Sequence, residues 1–226
     1  MKADDREKKI RLPSRIEKYL LQDEGLELDF KEEVSDGRKI AKTLSAFSNT
    51  SGGVLLIGIS DQKRVKGINS EEELFMLEKA ATEYCKPEVS YEYREWTIGK
   101  KAVLEVSIPQ AEDKPVYALG EDNKWWAYVR NADNTILASK VVLEVLRKRS
   151  SEKSVMVTYS EQARSLLEYL RDNDKITLEE YCRITGVNKR KATGVLVSLI
   201  VVGVLDVVPT DNDEYFVLSD VSTSSI

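Results

Sequence analysis

Between Ile40 and Ile59 the chain passes from one periodicity to another across a pair of glycines. Ile40, Leu44 and Phe47 recur at helical spacing, the segment closes in the polar run SNTSGG (48–53), and the apolar run VLLIGI (54–59) follows at once. An unbroken apolar run of that length, bounded by turn residues, is the pattern of a strand buried on both faces. The helix must therefore turn directly into a central strand, and the glycines permit backbone angles and close approaches that side chains would block. A tight helix-to-strand connection and a ligand loop both fit this block. Either way the fold must mix helix with sheet.

Flanking segments extend the same architecture. LELDFK (26–31) alternates Leu26, Leu28 and Phe30 with Glu27, Asp29 and Lys31, the period of a half-buried strand. SEEELFMLEKAATEYC (70–85) reads as a helix capped by Ser70 with Glu73 three residues on. YEYREWTI and KAVLEVSIP flank Gly99-Lys100, a hairpin signal, and KPVYAL and WWAYVR add short strands. ILASKVVLEVLRKRS (136–150) has a helical pattern, and the polar SSEKS (150–154) marks a linker. The expected domains are 1–150 and 151–226, with a frayed end at SDVSTSSI.

The C-terminal part has its own signature. Ala163, Leu166, Leu167 and Leu170 form an apolar helical face, and Thr177 with Glu180 forms a capping box before Leu178, Tyr181 and Cys182. Gly186 breaks the chain, Asn188 is placed to cap a third helix, and Ala192, Val195, Leu196, Leu199 and Ile200 mark its buried face. Leu205 to Val208 and Tyr215 to Leu218 flank PTDNDE as a hairpin. This order of elements resembles a winged helix-turn-helix domain, which implies that Lys189, Arg190 and Lys191, on the first turn of the third helix, contact DNA. A solvated helix start is the plain alternative. The hairpin carries Asp211, Asp213 and Glu214, which repel phosphate, and the chain from 151 onward holds 8 Lys+Arg against 12 Asp+Glu.

Composition narrows the chemistry. The 226 residues contain no histidine, which removes Ser-His-Asp triads, Cys-His pairs and HExxH zinc sites. Cys85 and Cys182 lie far apart without neighbouring ligands, so neither a disulfide framework nor a zinc site is expected. Gly53 and Gly58 have the spacing of a phosphate-binding loop, but Ile59 stands where its lysine belongs. No apolar run is long enough to cross a bilayer, and no signal peptide is visible, so a cytoplasmic protein is expected. Net charge is -5, so nucleic-acid contact requires local basic patches.

EGLELDFK (24–31), LSAFSNTSGGVLLIGISD (44–61), VKGI (65–68), KPVY (114–117) and YVR (128–130), in this order, resemble the Schlafen-type AlbA-like domain, a family also described as divergent AAA-4. The resemblance implies an α+β fold: a mixed-sheet AlbA-like domain, here followed by the small winged helix-turn-helix domain. Vertebrate relatives are similar to metal-dependent endoribonucleases whose three acidic residues fall in the blocks matched by Glu24, Asp29 and Asp61. Asp29 replaces the usual glutamate before Phe-Lys, and Ser60 replaces a frequent aspartate. In a regular strand Glu24 faces away from Asp29 unless Gly25 redirects the chain. Mg²⁺ or Mn²⁺ is implied only if this nuclease reading holds; otherwise no cofactor is expected.

Lys31, Arg38, Lys42, Lys63, Arg64 and Arg130, with Trp96, Trp125, Trp126 and Tyr128, form a candidate phosphate track with stacking platforms. At least two of the three tryptophans are expected to be mostly buried. The reading that results is a nucleic-acid-binding protein, specifically a DNA-binding transcriptional regulator acting as a homodimer, with DNA favoured over RNA and no membrane partner. The alternatives are a divalent-metal-dependent ribonuclease and a protein-interaction or nucleotide-sensing module, the acidic pI near 5.2 favouring protein contact.

Overall fold

The computed structural model describes residues 12–151, 160–210 and 213–219. Most of the N-terminal charged run, most of the expected linker, Asp211 and all of the expected frayed end but Ser219 lie outside the described residues.

The central layer is a mixed sheet in which β1 (Leu28–Lys31) runs parallel to β2 (Gly53–Ile57), followed by β5 (Lys101–Ile108) and β4 (Glu92–Ile98) in antiparallel register. Gly99, with a φ of +66°, turns the β4–β5 hairpin as expected. Strand alternation sends Leu55, Ile57, Leu104 and Val106 to one face, under α2 (Gly37–Asn49) and α3 (Ser70–Thr82). Val54, Leu56 and Val103 go to the other face, under α1 (Ser14–Leu20). VLLIGI is thus covered on both sides, which accounts for its having no polar residue.

Beyond α2 lies a second, antiparallel sheet of β3 (Cys85–Lys86), β6 (Tyr117–Leu119), β7 (Trp125–Asn131) and β8 (Asn134–Leu137). Ala118 packs toward α2, whereas Ala127 and Val129 pack toward α4 (Lys140–Arg149) and the C-terminal unit. That unit comprises α5 (Glu161–Asp172), α6 (Leu178–Thr185), α7 (Lys189–Val201) and the hairpin β9 (Leu205–Pro209) with β10 (Glu214–Leu218). The Thr177–Glu180 capping box forms, Gly186 ends α6 at a φ of +67°, and Asn188 accepts from Lys191 N at 3.0 Å.

Three expectations require correction. The first strand begins at Leu28 rather than Leu26, because Gly25 N donates to Leu28 O and folds 24–27 into a turn that leaves Leu26 exposed. Ser70 is the first helical residue of α3 rather than its cap, and the Glu73 carboxylate accepts from Val34 N at 2.7 Å instead of completing a capping box. The tryptophans are not core: Trp125 and Trp126 are exposed and Trp96 is half-buried.

Packing also crosses position 150. Val141, Val142, Val145 and Leu146 of α4 share one buried cluster with Leu166, Leu196, Ile200 and Phe216 of the C-terminal unit. Arg149 Nη2 donates to Ile200 O at 3.1 Å, and Asn131 Nδ2 to Pro209 O at 2.6 Å.

Candidate nucleic-acid interface

The SNTSGG connection holds the two sheets together. Asn49, at the last turn of α2, is fully buried; its Nδ2 donates to Val116 O (2.8 Å) and Tyr128 O (2.9 Å), and its Oδ1 accepts from Val116 N (2.7 Å). Ser45, one turn earlier, donates to Val116 O and accepts from Tyr128 N, while Thr50 Oγ1 accepts from Arg130 N. Buried backbone groups of β7 and of the β6 approach are thereby satisfied by side chains rather than by a neighbouring strand. Gly52 sits at a φ of +77° with Ile108 O only 2.7 Å from where a Cβ would stand, and a Cβ on Gly53 would meet the Phe47 ring at 2.5 Å. Of the two readings of this block, the tight connection accounts for every one of these contacts. The separate blocks SAFSNTSGG, KPVY and YVR meet here.

The acidic residues are arranged differently from a three-carboxylate centre. The turn at Gly25 brings Glu24 back over β1, where its Oε1 accepts from Phe30 N at 2.8 Å. Burial, and then a hydrogen bond with Asp29, hold the Glu24 carboxyl above its usual range. Gly25 thus resolves the strand-parity conflict between Glu24 and Asp29. Asp29 is only 4% exposed, paired with Lys31 Nζ at 3.0 Å and 4.0 Å from Arg130 Nη1. Asp61 does not join this pair: among the described residues no three Asp, Glu or Cys side chains gather closely enough to hold a metal ion. The positive charge that a metal would supply beside Asp29 already comes from Lys31 and Arg130, so the residues do not fit the metal centre that the nuclease resemblance implies.

Several expected phosphate contacts are committed elsewhere. Arg130 is buried, its guanidinium donating to Gly25 O at 2.6 Å and lying 5.0 Å from the Phe47 ring centre, so it braces the β1 entry rather than facing solvent. Lys63 pairs with Asp23 at 2.7 Å, and Arg64 is exposed at the same turn.

Arg38 and Lys42 do form a surface. They lie one turn apart on α2, hence on one face. Arg38 donates to Gly120 O (2.8 Å) and Asn123 Oδ1 (2.9 Å) in the β6–β7 turn and lies 5.7 Å from the Tyr84 ring centre. Lys79, from the last turn of α3, approaches the same ring at 5.5 Å, and Lys42 approaches Tyr128 at 6.0 Å. Trp126 continues the patch over Gly120, its Nε1 donating to Asp122 at 3.1 Å, which with Lys124 occupies the nearest carboxylate. Trp125 falls on the opposite face of β7, as strand alternation requires. Lys79 and Tyr84 were not legible as part of a site: only the packing of the Gly37 end of α2 on Tyr84 brings them there.

On α7 the three cations are unequal. Lys189 is held by Glu179 at 2.6 Å, whereas Arg190 and Lys191 are exposed with no ion-pair partner among the described residues. The hairpin is anchored through Glu214, which accepts from Ser139 Oγ at 2.5 Å, so that carboxylate is turned inward.

Residues 24–139, just over half of the chain, match the family model described as Schlafen, AlbA_2. The chain belongs to the Schlafen AlbA_2 family. The match starts at Glu24 and ends at Ser139, so α1, α4 and the C-terminal unit flank the AlbA_2 domain. No curated protein matches the chain. Among solved structures it is similar to the DIP2311 protein from Corynebacterium diphtheriae, with 15% identity and a TM-score of 0.44 over 70% of this chain and 39% of that one. It is also similar to the N-terminal domain of a RecG-related protein from Nitrosomonas europaea, with 19% identity and a TM-score of 0.42 over 66% of this chain and 95% of that one. The chain thus spans about two-fifths of the length of DIP2311. No helix among the described residues is long and apolar enough to cross a membrane.

Proposed function

We propose that this chain binds nucleic acid without turning it over and serves as a DNA-binding regulator. The observation that carries the reading is the surface of Arg38, Lys42 and Lys79 interleaved with Tyr84, Tyr128 and the exposed Trp126. A base stacked on an aromatic side chain contributes about 1–3 kcal/mol while cations track the phosphates, and this surface offers both. The order of helices and hairpin in the C-terminal unit supports a winged helix whose α7 presents Arg190 and Lys191 to duplex phosphates. A two-fold homodimer belongs to the same proposal, since pairing would double both basic surfaces.

The test is a binding titration of the full chain with single-stranded and duplex DNA and with RNA, repeated over a salt series, with Mg²⁺ or Mn²⁺ present. Arg38→Ala/Lys42→Ala is expected to flatten the salt dependence, and Trp126→Ala to weaken single-strand binding roughly tenfold with Trp126→Phe retaining most of it. Retention without cleavage beyond that of a Glu24→Ala/Asp29→Ala/Asp61→Ala variant is expected. Unchanged affinity in both surface variants would remove the interface, and cation-dependent cleavage lost in the triple variant would favour the ribonuclease.

A further inference from the structure

A cavity of about 240 Å³ lies where the AlbA_2 domain meets α4 and the C-terminal unit. Its apolar wall is Val142, Val145 and Leu146 from α4 with Ile200 and Val207 from the tail. The end of α2, at Asn49 and Thr50, and Lys114 also line it. Cavities of ~150 Å³ accept benzene, so this one has room for on the order of ten non-hydrogen atoms.

Lys114 gives the cavity its chemistry. Its ammonium carries three donors, and two go to the backbone carbonyls Asn49 O (3.0 Å) and Thr50 O (3.1 Å). Among the described residues no carboxylate lies within ion-pair distance of it. The partial negative charge at the end of α2 offsets only part of a full positive charge taken out of water. Around the rim, Asp206 favours the charge of Arg149 and Asp29 lies 4.0 Å from Arg130. Burial, and then the nearby Arg149, lower its pKa to about 8, the mark of a cation short of compensation.

We propose that this cavity is a binding site for a small amphipathic anion, whose acidic head sits on the Lys114 ammonium and whose apolar body lies against α4 and the tail. An acidic head supplies the full charge that the two carbonyl dipoles lack, and an apolar body of this size covers the valine and leucine wall. Because the wall comes from α4 and the C-terminal unit and the lysine from the AlbA_2 domain, the bound anion holds the three together.

The experiment uses the full chain with benzoate, phenyl phosphate and neutral benzamide as probes, read by thermal unfolding and calorimetric titration. Saturable stabilisation by benzoate or phenyl phosphate, and not by benzamide, is expected, with the stronger of the two identifying the head group. Lys114→Met should weaken that binding by roughly tenfold or more, the loss of a charge-assisted hydrogen bond. Val145→Phe, which fills the cavity and keeps the lysine, should weaken it as well. Affinity should also fall as pH rises from 7 through 9, because Lys114 loses its charge on that interval. Should Lys114→Met not fold, Val145→Phe and the pH series decide. Equal response to benzamide and both anions, or an affinity indifferent to Val145→Phe and to pH, would overturn the proposal.

Discussion

Asn49 is buried beyond reach of water, and both ends of its amide are engaged by the backbone of the β6 approach and β7. Its replacement strands at least Val116 N and Tyr128 O inside the protein, and a buried polar group left unpaired costs about 1–3 kcal/mol. Asn49→Ala is therefore expected to lower stability by about 3 kcal/mol or more, measured by denaturant unfolding, and Asn49→Asp to lose the donors while keeping the acceptor. A loss under ~1 kcal/mol for Asn49→Ala would show that the Asn49 amide is not what holds the sheets together. Glu105 plays a comparable part on the other side of the central sheet. It is buried on β5 and receives Arg15 Nε at 2.7 Å, Tyr19 Oη at 3.0 Å and Trp96 Nε1 at 2.8 Å, which ties α1 down. Nothing in the alternation of KAVLEVSIP distinguishes this carboxylate from a solvated one, since two of its three partners are 86 and 90 residues away and the third sits on the paired strand.

Among the elements, α7 shows how a short basic run is sorted by its surroundings. KRK reads as three equivalent cations, yet Glu179 on α6 captures Lys189. Counterion release scales with the phosphates neutralised, so Arg190→Ala/Lys191→Ala should reduce the slope of log affinity against log salt by about 2 on duplex DNA. Lys189→Ala alone should change the slope by less. Equal slopes for wild type and the double variant would take α7 out of the interface. The helices themselves were legible wherever a local rule fixed them: the Thr177–Glu180 box and the glycine at 186 act within one turn, and both form as written. The cap of α3 was not, because Glu73 found a tertiary partner in Val34 N that outcompetes the local one. Trp125 and Trp126 were placed wrongly for a related reason: their strand ends beyond α2 and α4, so neither face is covered there.

At the scale of the whole molecule, the apolar cluster joining α4, β7 and the C-terminal unit makes the expected division at 150 a matter of sequence composition more than of packing. Denaturant unfolding of the full chain followed by tryptophan fluorescence and by circular dichroism should give one coincident transition. A fragment ending at 150 should be less stable and less soluble, since it exposes Val141, Val142, Val145 and Leu146. Two separate transitions would show that the units fold independently. Sequence alone determined the α+β class, the family and most of the helices and strands. Period, turn residues and local caps act over a few positions, and the SAFSNTSGGVLLIGISD block carries the family resemblance within one short stretch. Tertiary structure decided which charges are available. Pairing buries Arg130, commits Lys31 and Lys63, draws Glu24 to Asp29 without Asp61, and leaves Arg38, Lys42 and Trp126 on the surface. For Arg130 and Lys63 the partners lie 105 and 40 residues away, and no local pattern encodes which of two like charges will find one.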